Sequence, residues 1–90
     1  MTINPDWKAL LEHTVGAEST SKKSQRGYRN HFCTEIGSND YLAFVAMVDN
    51  ELASEGSKLN QCSSQYFHAT LKGCKAINLH KAAIARAFAP

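Results

Sequence analysis

The chain has 90 residues, 43% hydrophobic and 20% charged, with 10 Lys and Arg against 8 Asp and Glu, for a formal net charge of +2. That length supports one domain over 1–90 that buries about 60–65% of its unfolded surface, and it excludes a cleft between two domains. The longest continuous apolar run, 41–48, is far short of the roughly 20 residues of a membrane span. The start of the chain lacks a basic stretch leading into an apolar run, so the expected compartment is the cytoplasm, that of a bacterial host if the resemblance described below holds.

Charge is unevenly spread. Residues 61–90 carry Lys72, Lys75, Lys81 and Arg86 and no acid, whereas 37–60 carry Asp40, Asp49, Glu51 and Glu55 against Lys58 alone. The three cysteines, Cys33, Cys62 and Cys74, are an odd set, unlike a disulfide-stapled secreted mini-protein. They read as reduced, partly buried small hydrophobes.

In chain order, Asn4 suits a cap and Pro5 the first helical position. Trp7, Leu10, Leu11, Thr14 and Val15 then recur at helical spacing until Gly16. Asp6 and Glu12 fall on the polar face. Residues 17–27 are Ser-, Lys- and Gln-rich and read as a mobile loop with Lys22, Lys23 and Arg26 solvated. Residues 28–36 fit either a short helix, with Tyr28, Phe32 and Ile36 four apart, or an extended entry segment. Gly37, Ser38 and Asn39 form a turn and cap.

A second helix is expected over 40–53. Its buried stripe is Tyr41, Phe44, Val45, Val48 and Leu52, with Met47 at the edge and Gly56 as the stop. Its other face shows Asp40, Ala43, Asp49, Asn50 and Ala53. A two-stranded hairpin is expected over 58–70, with its tip near 61–64. Thr70 then caps a final helix that either breaks near Asn78 or carries Lys81 with its charge snorkelling outward. The predicted core is Trp7, Leu10, Leu11, Phe32, Tyr41, Phe44, Val45, Val48, Leu52, Phe67 and Ile77. The fold class is α+β, a small helix-rich domain.

No constellation argues for catalysis. Cys62, His68, Cys74 and His80 recur every six residues, too far apart on a strand and turned some 240° on a helix to share a metal. His31 and Cys33 do not face each other as a nucleophile and base would, and no phosphate loop, HExxH or nucleophile elbow occurs. Neither enzyme activity, a metal nor a cofactor is expected. Arg29, Asn30 and His31 form a polar cluster with two readings. One is a recognition patch. The other is structural, with Asn30 or His31 bonding turn backbone and Arg29 pairing with Glu35 or Asp40.

The run from Leu52 to Gly56, followed by Tyr66-Phe67-His68-Ala69-Thr70-Leu71-Lys72-Gly73-Cys74-Lys75-Ala76-Ile77, resembles the second half of a winged helix-turn-helix domain over about 40–78. Gly27-Tyr28-Arg29-Asn30-His31-Phe32, Gly37, Met47-Val48-Asp49 with Leu52-Ala53, and the Thr70 and Gly73 step resemble a family of small phage and prophage proteins with no established activity. That resemblance covers about 27–78 and implies a phage-encoded origin and a compact α+β fold with an amphipathic helix and a winged hairpin, so the expected domain is winged-helix-like with one two-stranded hairpin.

A winged helix reads DNA with one helix in the major groove, and affinity there depends on cations. The segment 40–53 has Asp40, Asp49 and Glu51 and neither Lys nor Arg. The expected function is therefore non-catalytic binding to a host or phage protein, including inhibition of a host defence complex. A DNA-binding regulator acting through its basic loop and C-terminal helix is the alternative, and a virion structural or assembly component is a third. Candidate interaction residues are Arg29, Asn30, His31, Asp40, Asp49, Glu51, Lys72, Lys75 and Arg86.

Overall fold

The computed structural model describes residues 3–17, 26–27, 29–59 and 63–89. Asn4 caps the first helix, α1 (Pro5–Thr14), accepting a hydrogen bond from the Asp6 N–H at 2.8 Å. Pro5 occupies the first turn, where a missing N–H costs nothing. Beyond α1 the chain returns at Gly27, whose N–H donates to the Val15 carbonyl. Gly27 has φ +81°, and a Cβ there would lie 2.0 Å from the Ala83 carbonyl oxygen, so only glycine fits this turn.

Of the segment 28–36, residue 28 lies outside the described residues and the rest takes the extended alternative, with Phe32–Glu35 forming strand β1. Ser38 caps α2 (Asn39–Asp49), its hydroxyl accepting from the Tyr41 N–H. α2 ends four residues before the expected boundary. Asn50 caps it, Glu51 takes a left-handed φ of 64°, and the chain enters β2 (Ala53–Leu59). Ala53 and Gly56 are therefore strand residues rather than a helix end and its stop. Leu59 closes that strand instead of opening one.

β3 (Ser64–Ala69) lies at the centre of a three-stranded antiparallel sheet of order β1-β3-β2. The expected two-stranded unit is thus incomplete, because β1 adds a strand with Phe32 opposite Phe67. The register against β2 shifts by one residue between Glu55 and Lys58. Gly56 lies at this irregularity, where a Cβ would meet His68 Nε2 at 2.6 Å. Residues 61 and 62 of the expected tip lie outside the described residues, as do 60 and 18–25, including Lys22 and Lys23.

Thr70 caps α3 (Leu71–Ala76) by accepting from the Gly73 N–H at 3.0 Å, and its hydroxyl donates to the Glu51 carbonyl at 2.6 Å. The final helix breaks at Asn78, φ 57°, and resumes as α4 (Lys81–Ala87). Lys81 thus falls outside any buried arc and is exposed.

The core lies between the sheet and the helices. Leu11, Phe44, Met47, Phe67 and Cys74 are fully buried, joined by Val15, Ala53, Ala69 and Ile77. Phe44 stacks on Phe67 with ring centroids 4.9 Å apart and 15° between planes, and Phe32 and Tyr41 flank that pair. Such aromatic pairs add about 0.5–1.5 kcal/mol each beyond their buried area. Met47 sits at the centre of the α2 face rather than at its edge, while Val45 and Val48 are only half-buried. Trp7, Leu10, Phe32, Tyr41, Val48 and Leu52 pack at the core margin.

β3 alternates buried Gln65, Phe67 and Ala69 with half-buried Ser64, Tyr66 and His68. Exposed Cys33 stands opposite Tyr66, so that thiol is not the buried hydrophobe expected. No helix among the described residues is long and apolar enough to cross a membrane.

Candidate functional site

α1 carries Asp6, Ala9, Leu10 and His13 at three- and four-residue steps, so they form one stripe along the helix. The first turns of α2 present Asn39, Asp40 and Ala43. Between the two stripes runs an open groove of about 560 Å³, completed by Trp7, by Phe32 from β1 and by Asn4 at the α1 cap. Ala9 and Ala43 leave this volume because a methyl group cannot fill the space between the helices. Trp7, Leu10 and Phe32 supply apolar surface whose other sides pack on the core.

Asp6 and Asp40 are exposed and sit in the first turns of their helices. Backbone N–H groups there favour carboxylates, which is why the sequence tolerates acids at these positions. Neither Lys nor Arg lines the groove among the described residues. His13 packs edge-on against Phe32 at 5.2 Å.

The sequence-predicted candidates divide into structural ties and scattered surface groups. Arg29 is committed to the backbone: its Nε and Nη2 donate to the His13 carbonyl at 3.0 and 2.6 Å, closing the C-terminal end of α1. The partner shown for its guanidinium is a carbonyl, where an acid such as Glu35 or Asp40 was expected.

Asn30 is also structural. Its Nδ2 donates to the Ala69 carbonyl at 3.1 Å and its Oδ1 accepts from the Ala69 N–H at 2.7 Å. Its own carbonyl accepts from His68 Nδ1 at 2.6 Å, which puts the proton on that ring nitrogen. His31 is exposed, with its ring edge-on to Tyr66 at 6.1 Å.

Asp49 and Lys75 are exposed at the ends of α2 and α3. Glu51 pairs with Lys72 at 3.6 Å across the Thr70 junction, both side chains mostly exposed. Arg86 is a tie like Arg29: its Nε donates to the Arg26 carbonyl at 2.8 Å and its Nη2 lies 3.4 Å from His80 Nε2. Arg26, expected to be solvated, has a buried Nε without a hydrogen-bond partner. It lines a smaller cavity of about 270 Å³ with Glu12, Asn78 and His80.

Of the nine candidates only Asp40 reaches the groove. Asp6, Ala9, His13 and Ala43 were not singled out, because a polar or small residue on an exposed helix face carries the same sequence signature whether it is solvated or faces another helix. Trp7, Leu10 and Phe32 were read as core, which describes one side of each.

Burial pushes the Cys74 thiol up from 9.0 to about 11, so this cysteine is an inert packing group. Among the described residues, no three His, Cys, Asp or Glu side chains are grouped to hold a metal. Cys62, the remaining member of the six-residue series, lies outside them. No known protein family matches the chain, nor does any curated protein or solved structure.

Proposed function

We propose that the protein is a non-catalytic binding module that seats a segment of a partner protein in the α1–α2 groove. The observation that carries this reading is the groove itself, an open apolar channel with Trp7 in its wall and acids at its rim. Tryptophan is among the residue types enriched at the anchor points of interfaces, and Trp7 is half-buried in this wall. The setting implied by the sequence resemblance is a phage or prophage accessory protein acting on a host or phage protein.

The DNA-binding alternative receives less support. Phosphate contacts need available cations. Arg29 and Arg86 are engaged by backbone carbonyls and Lys72 lies beside Glu51. A helix-turn-helix joins two helices by a short turn, whereas α2 is preceded by strand β1 and stands 25 positions after the end of α1. The winged-helix likeness is therefore supported by the α+β class and the antiparallel sheet, and not by a recognition helix.

The test is capture from a nuclease-treated lysate of its own host, using wild type and Ala43→Leu, whose added side chain occupies the groove. The expected result is one defined protein retained by wild type and lost by the variant, with a direct titration of that purified protein repeating the difference. Equal retention by both, or loss of retention on nuclease treatment, would overturn the proposal.

A further inference from the structure

We infer that the side chain seated in this groove is cationic, an arginine foremost, presented by the partner segment. This rests on the reading of the groove as the docking site. The charged groups at its rim are Asp6 and Asp40. The N-terminal ends of α1 and α2 offset part of that charge, and the two carboxylates leave this rim negative. An anionic or neutral polar occupant would gain nothing from that field. Neither would a purely apolar one, which would leave two carboxylates beside a desolvated surface.

An arginine satisfies both parts of the site. Its aliphatic stem covers Leu10 and the depression left by Ala9 and Ala43, as long basic side chains cover apolar surface elsewhere. Its planar guanidinium can stack on an aromatic face and offers two parallel donors to a carboxylate, a combination that lysine lacks. His13 is held against Phe32, and Arg29 anchors its carbonyl, so that wall of the groove is already ordered before anything binds. A pre-ordered wall lowers the entropic cost of binding.

Trp7 is the sole tryptophan of the chain, so its fluorescence reports the groove directly. The probes are acetylated Gly-Leu-X-Leu-Gly amides with X as arginine, lysine, citrulline or norleucine. The arginine peptide is expected to give a saturable change, with a dissociation constant about tenfold below that of citrulline, since charge complementarity sets the preference. Raising ionic strength to about 0.5 M should shrink the gap. The double variant Asp6→Asn, Asp40→Asn should close it to within about twofold while keeping the wild-type circular dichroism, because asparagine is tolerated at helix starts.

Equal binding of arginine and citrulline peptides to wild type would overturn the cationic assignment. The groove reading would stand in that case if Ala43→Leu abolished both. No saturable change with any of the four peptides would overturn both readings together.

Discussion

Asn30 decides between the two sequence readings of the Arg29-Asn30-His31 cluster, and it can be tested by stability alone. It stands where one more ladder pair would place a residue opposite Ala69, two positions beyond the Phe32–Phe67 pair. Its side-chain amide makes there the two bonds that a backbone amide would make. Ala69 is 2% exposed, so water does not replace those bonds when they are lost. Removing two net hydrogen bonds and leaving a buried N–H and C=O unpaired costs about 2–4 kcal/mol.

Asn30→Ala should lose that amount in urea denaturation followed by circular dichroism, and at least about 10 °C in melting temperature for a domain of this size. Asn30→Asp keeps the acceptor for the Ala69 N–H but sets a second oxygen against the Ala69 carbonyl. It should be as unstable as the alanine variant at neutral pH and recover in part as pH falls and the new carboxyl protonates into a donor. A loss below about 0.5 kcal/mol for Asn30→Ala, or wild-type stability of Asn30→Asp at neutral pH, would refute the structural assignment.

Gly73→Ala should destabilise by more than about 2 kcal/mol, although alanine is the better helix former, because its Cβ would lie 2.1 Å from the Leu52 carbonyl oxygen; a raised melting temperature would contradict this. Met47→Ala should cost about 2–5 kcal/mol and clearly more than Val45→Ala, the reverse of what the helical stripe suggested, with denaturant midpoints as the check. The unfolded chain releases the Cys74 proton near 9.0 and the folded chain holds it to about 11, so stability present below that window falls as pH rises through it. The loss reaches about 2–3 kcal/mol and should be absent from the stability-versus-pH curve of Cys74→Ala. Thr70→Ala removes both the α3 cap and the bond to the Glu51 carbonyl and should cost about 1–3 kcal/mol, read by the same denaturation.

Three helix starts were legible because their signals are local. Asn4 with Pro5, Ser38 and Thr70 each cap a helix by a side-chain bond spanning two or three residues. The break at Asn78 is legible for the same reason, since asparagine enters the left-handed region easily. The strands were less legible. Ala53-Ser54-Glu55-Gly56 has neither alternation nor β-branched residues; it becomes a strand because β3 supplies its partner, and the helical pattern that seemed to continue through 53 ends when Glu51 turns left-handed. Phe32–Glu35 is likewise a strand by virtue of Phe67 opposite Phe32.

The sequence by itself determined the α+β class, the caps that start three of its helices, most of its aromatic core and its uneven charge. Each of these depends on residue type or on neighbours within a few positions. Only the tertiary structure decided that Arg29 and Arg86 tie distant parts of the backbone together, since their carbonyl acceptors lie 16 and 60 residues away. It also decided that Asp6 and Asp40, 34 positions apart in the chain, share one groove. Spacing along a chain specifies which residues lie on one face of a helix. Which two faces then confront each other is set by how the sheet and the core bring the helices together.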